Sequence, residues 1–170
     1  MFRKYLLISL VCLTAISCSL ASLSELGNME NFANDDEVMN AAIATAQETL
    51  PVFIDAMQTS TDAEAHFAIK VKYPYGIADE AEHIWVSELS YDGSRFEGTI
   101  GNDPVYVSGL AYGDRVVVEL EEISDWMIIQ GGRLYGGYTI HVIRKTMSDR
   151  EREEFDQGAG FTIPDEPELP

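Results

Sequence analysis

The stretch "NDDEVMNAAIATAQETLPVFIDAMQTSTDAEAHFAIKVKY", Asn34 to Tyr73, holds two hydrophobic periods in succession. In the first, Met39, Ala42, Ile43, Ala46, Leu50, Phe53, Ile54 and Met57 recur at steps of three and four, which lines one face of a helix. Asn34 stands where a cap belongs, Glu37 occupies the third helical position, and the acids of the first turn complement the positive end of the helix. Pro51 lies inside the pattern. Because proline lacks an N–H and crowds the carbonyl four residues back, a kink or break is expected between Gln47 and Pro51. After Thr61 the period falls to two: Phe67, Ile69, Val71 and Tyr73 share one face of a half-buried strand, and His66, Ala68, Lys70 and Lys72 the other. One apolar helix stripe followed by one alternating strand requires helix packed on sheet.

The strands continue downstream. In "EHIWVSELSYDGSRFEGTIGNDP" the pair Asp92 and Gly93 suits a tight hairpin turn between two antiparallel strands, and Trp85 is expected to be structural. "YGD" at Tyr112 to Asp114 marks another turn, and "RVVVELEEI" and "DWMII" supply two more short strands. "YTIHVIRK" fits a strand through Tyr138, Ile140 and Val142, or a helix through Tyr138, His141 or Val142, and Lys145; the strand is the preferred reading. In "SDREREEF" Ser148 is a cap with Glu151 three residues on, which opens a short helix. The glycines, prolines and acids of residues 158–170 read as a flexible acidic tail. The expected architecture is α+β: one curved antiparallel sheet of about five or six strands, packed by an N-terminal amphipathic helix and closed by a short C-terminal helix, in a single domain over residues 35–157.

The chain begins "MFRKYLLISLVCLTAISCSL", with Arg3 and Lys4 followed by an apolar run too short to span a bilayer. Such a segment reads as a secretory leader, residues 1–17. Ala15, Ile16, Ser17 and Cys18 resemble the lipobox of bacterial lipoproteins, which makes Cys18 the expected lipid-carrying N-terminus and residues 18–34 a tether; cleavage after Ala21 is the rival reading, for a soluble secreted or periplasmic protein. Cys12 would leave with the leader, so no disulfide is expected. Ser19 after the cysteine, in a host with two membranes, points to the outer membrane with the domain facing the periplasm.

The formal charge of the whole chain is −18, and loss of Arg3 and Lys4 leaves 29 acids against 9 bases. That field repels nucleic acid and favours a basic partner, although solubility alone also accounts for it. The commonest signatures of catalysis are absent: no phosphate loop with lysine, no nucleophile elbow, no paired histidines at helical spacing, no cysteine pair for a metal. A zinc site can be drawn from His66, His83 and Glu82, but two strand histidines are more often plain surface residues. Glu121 and Glu122, if on a strand, point to opposite faces and cannot share acid and base work. No catalytic residue, metal or cofactor is expected.

"EHIWV", "FEGTIGNDP", "GDRVVV", "ISDWMI" and "LYGGYTIHVIRK", in this order and spacing, resemble the bacterial family catalogued as domain of unknown function 2314, over roughly residues 36–155. The resemblance implies a fold unit, bacterial origin and, in some members, a lipoprotein leader; it implies no reaction and no site residues. "EEISDWMIIQGGRLYGGYT", Glu121 to Thr139, has two readings. Asp125 capping a turn, Trp126 entering the core and Gly136 and Gly137 bending the backbone would make it structural. Arg133, Tyr135, Tyr138 and Arg144 around mobile backbone would make it a binding surface. The expected function is a non-catalytic, membrane-tethered protein-binding module of the envelope. Its alternatives are an immunity or inhibitor protein against a toxin delivered to the periplasm, and an unrecognised enzyme.

Overall fold

The computed structural model describes residues 36–76 and 80–170; the expected leader, lipid-carrying Cys18 and tether lie outside the described residues. Helix α1 spans Glu37–Thr59. Asp36, rather than Asn34, caps it, its Oδ1 accepting from the N–H groups of Val38 and Met39 at 2.9 and 3.0 Å. No break occurs at Pro51, which lies inside one continuous helix. Leu50 and Phe53 are buried on either side of it, so packing of the stripe holds together a turn that proline weakens.

Six strands form one antiparallel sheet: β1 (His66–Pro74), β2 (Ala81–Tyr91), β3 (Arg95–Ile100), β4 (Arg115–Glu119), β5 (Ile123–Gln130) and β6 (Arg133–Gly136), in the order β4-β3-β2-β1-β5-β6. Glu121 and Glu122 fall in a single 3₁₀ turn, Leu120–Glu122, between β4 and β5. Asp92 and Gly93 make the β2–β3 turn, with Asp92 Oδ1 accepting from Ser94 N and Arg95 N. The alternation in β1 holds: Phe67, Ile69, Val71 and Tyr73 all belong to the core beneath α1, with Ile84, Val86, Phe96, Ile128 and Trp126.

The other face of β1 is not solvent-exposed as expected. Ala68 and Lys70 are buried there, because a second apolar cluster of Trp85, Met127, Leu134, Ile140, Ala159 and Ile163 covers the centre of the sheet. Three elements account for that cover, and the first and last of them correct the sequence reading. Residues Tyr138–Thr146 form a helix, α2, and not a strand. A further helix, α3 (Asp149–Ala159), opens with the expected Ser148 and Glu151 capping box and ends at Gly160 in a left-handed conformation. The stretch beyond it is no free tail: Ile163 is buried, Thr162 N donates to Gly132 O at 2.8 Å, and Leu134 N and Gly136 N donate to Thr162 O and Glu168 O at 3.0 and 2.9 Å. Those bonds satisfy the outer edge of β6, which is what gives an acidic, proline-rich segment a fixed place.

Candidate functional site

A bulge in β5 builds the polar centre of the second face. Lys70 pairs with Asp125 and Val71 with Ile123, so Ser124 is one residue too many for its partner strand. Ser124 Oγ donates to the Lys70 carbonyl at 3.1 Å and lies 2.7 Å from His83 Nδ1. Asp125, fully buried, accepts four hydrogen bonds: from Trp126 N (2.8 Å) and Tyr138 N (3.1 Å) on Oδ1, and from Thr139 N (2.8 Å) and Thr139 Oγ1 (2.6 Å) on Oδ2. It therefore caps α2 from another strand, doing for that helix what its own N-cap, Gly137, cannot. Lys70 Nζ donates to Thr139 Oγ1 at 3.1 Å and sits 5.1 Å from the centre of the Trp85 ring. Thr139 thus passes a hydrogen bond from ammonium to carboxylate.

Burial pushes the Lys70 ammonium down, opposed by the charge of Asp125, and pushes Asp125 up, opposed by Lys70 and by the hydrogen bonds from Thr139 and Trp126. Four donors aimed at one carboxylate favour its ionised form. His83 is lowered to about 4 by burial and by Lys70 and Lys72, so it is a neutral imidazole at physiological pH. The cluster is closed upon itself: its carboxylate and ammonium are committed to one another through Thr139, and to a helix terminus.

The zinc site that can be drawn from His66, His83 and Glu82 does not assemble. His66 pairs with Ile129 while His83 pairs with Lys72 further along β1, and Glu82 is engaged elsewhere. No group of three His, Cys, Asp or Glu side chains gathers in metal-binding geometry among the described residues. Trp85 and Trp126 are both fully buried, and Trp126 Nε1 donates to Ala46 O at 3.0 Å. Gly136 is required by close approach: a Cβ there would stand 2.5 Å from the Trp126 ring and carbonyl.

The four residues read as a binding surface separate. Tyr138 is buried, edge-on to Trp126, because Tyr138 N is one of the groups Asp125 caps. Arg144, its side chain 12% exposed, makes a two-pronged pair with Asp156 on α3. These two are structural. Arg133 and Tyr135 remain partly exposed on β6, with Arg133 held in a two-pronged pair by Glu168.

The most prominent exposed apolar group lies elsewhere, in the β3–β4 connection. Glu82, buried on β2, accepts the backbone N–H groups of Val105, Tyr106 and Val107 at 2.7, 2.8 and 3.1 Å. The loop is pinned at this point, and it presents Val105 at 64% and Tyr106 at 52% exposure. Tyr106 stacks on Tyr75, ring centres 4.9 Å apart. Sequence reasoning missed this patch; "PVYV", an apolar run inside a loop between two turn signals, was its trace.

The profile of an uncharacterised protein family conserved in bacteria, domain of unknown function 2314, matches residues 36–163. The chain belongs to this family. Among curated proteins it is similar to an uncharacterised protein of Escherichia coli, YegJ, 33% identical over 146 residues, which are 85% of this chain and 93% of that one. It is also similar to a protein of Neisseria meningitidis serogroup B that carries an ankyrin-repeat name, 31% identical over 137 residues, 76% of this chain and 54% of that one. The stretch shared with this chain thus makes up nearly all of one relative and about half of the other. No solved structure matches at comparable significance. Among the described residues no helix is long and apolar enough to cross a membrane.

Proposed function

We propose that this family member is a non-catalytic protein-binding module of the bacterial envelope, tethered through a lipid on Cys18 with its domain facing the periplasm. The observation that carries the reading is the pinned loop: a buried carboxylate holding three consecutive amides fixes Tyr106 and Val105 in an exposed position. An aromatic anchor that is already rigid loses little entropy on binding, which is how small surfaces reach useful affinity. The titratable groups best placed for chemistry, Lys70 and Asp125, are buried and used by α2. Occurrence of the same domain in a chain almost its own length and in one nearly twice as long suits a module.

Two substitutions test it. Capture from native envelope extract with the full chain is expected to retain a partner that Tyr106→Asp loses while melting like the wild type, since exposed positions cost little stability. Equal capture by Tyr106→Asp would refute the surface. Cys18→Ser is expected to leave the chain unprocessed or soluble, and normal membrane partitioning of that variant would refute the tether.

A further inference from the structure

We propose that β4 pairs with β4 of a second copy of this chain, antiparallel about Val117, joining two sheets across a two-fold axis. The sheet has two edges, and they are treated differently. The β6 edge is closed by Thr162 and Glu168. Among the described residues β4 has no such cover, no proline and no bulge in its pairing with β3. Ile100 N donates to Asp114 O at 2.9 Å, which makes these two a hydrogen-bonded pair at the start of the ladder. Alternation along the register then turns the backbone groups of Val116 and Val118 towards β3 and those of Arg115, Val117 and Glu119 outward. Glu122 already takes the Glu119 N–H at 2.9 Å, so the open segment centres on Val117.

The charges say which strand fits. Edge strands are usually protected from their own kind by side chains that repel an identical neighbour. In "RVVVE" the two charges are opposite in sign and equally distant from Val117. An antiparallel pair centred there sets Arg115 of each copy against Glu119 of the other, and a slip of one residue or a parallel pairing loses both matches. Within one copy their ion contacts are long, Arg115 at 3.9 Å from Glu97 and Glu119 at 4.0 Å from Arg95, beside an Arg115 bond to Thr99 Oγ1 at 3.4 Å and the Glu119 share of the capping box at the following turn. Val117, 51% exposed amid a polar face, would meet its own copy. A two-fold axis through the sheet leaves both α1 helices on one side, each packed chiefly over β5.

The test is sedimentation velocity of the full chain in density-matched detergent at roughly 100 μM, a concentration suited to a small interface. The wild type is expected to sediment as monomer and dimer in exchange. Arg115→Glu and Glu119→Arg are each expected to weaken the dimer at least about tenfold by placing like charges opposite, and the double variant Arg115→Glu/Glu119→Arg to restore it. Thermal melts of the three variants serve as the folding control. A monomeric wild type, a dimer indifferent to the single exchanges, or a double variant that stays monomeric would each overturn the proposal. A wild type that is monomeric yet binds an extended peptide along β4 would overturn it in favour of a foreign strand.

Discussion

Asp125 and Thr139 are joined twice through one oxygen: the backbone N–H and the hydroxyl of Thr139 both donate to Asp125 Oδ2, at 2.8 and 2.6 Å. The strand carboxylate and the helix terminus are therefore a single unit, with Lys70 as its third member. Asp125→Asn keeps the shape but removes the charge that faces a buried ammonium. It is expected to cost roughly 2–4 kcal/mol in urea denaturation, and Lys70→Met in that background to recover part of the loss. Strict additivity of the two substitutions would show that the residues are not coupled.

Gly136 and Gly131 both have positive φ, +70° and +57°, but only the first has a neighbour. Gly131→Ala is expected to cost about 1 kcal/mol, the backbone penalty alone. Gly136→Ala adds a Cβ 2.5 Å from the Trp126 ring and should lose at least about 3 kcal/mol or fail to fold. Equal melting temperatures for the two variants would exclude the close approach as the reason for the glycine.

His141, only 3% exposed and with neither ring nitrogen hydrogen-bonded among the described residues, is lowered to about 4, first by burial and then by Arg144, against the pull of Glu166 and Asp165. Between pH 4 and the ordinary histidine value of 6.5 the unfolded chain takes up a proton that the folded one refuses. Stability is therefore full above about pH 6.5 and falls as pH drops towards 4, by roughly 3 kcal/mol from this residue. His83 acts in the same direction. His141→Leu should lie within about 1 kcal/mol of wild type at pH 7, since no hydrogen bond is lost, and show a shallower decline of the urea midpoint at pH 4.5. An unchanged decline would place the acid sensitivity elsewhere.

Truncation after Gly160 removes the strands of contact that close β6, along with the buried Ile163 and the Arg133–Glu168 pair. The shortened chain is expected to lose several kcal/mol and to aggregate on concentration through the opened edge. A soluble, equally stable truncation would return the segment to the status of a free tail.

The parts of this fold legible in sequence are those set by local pattern. The stripe of α1, the alternation of β1, the turn at Asp92 and Gly93 and the capping box at Ser148 all rest on neighbours within a few residues. Trp126 was legible as core because a large ring amid apolar strand residues has few other destinations. What could not be read was set at a distance. "YTIHVIRK" satisfies both periods, and the helix is favoured by contacts distant in sequence: Asp125, held across the β6 hairpin, caps it, and Ile140 joins the second apolar cluster. The residues after 160 look disordered by composition, and order comes from the unpaired edge they meet. Tyr138 and Arg144 are engaged within the fold for the same reason: aromatic and arginine side chains mark interfaces between proteins and between elements of one fold alike.

The extra residue in β5 also sets a rule for how this chain can change. Elsewhere in a sheet, inserting or deleting one residue exchanges its two faces, inside for outside, along the remainder of the strand. At Ser124 the exchange has already been absorbed, so Ile123 and Trp126 face the same side although three positions separate them. A relative shorter by one residue here would keep Trp126 beneath α1 and Asp125 beneath α2, forfeiting the Ser124–His83 contact. This is the point along β5 where chain length is free to drift while the architecture stays fixed.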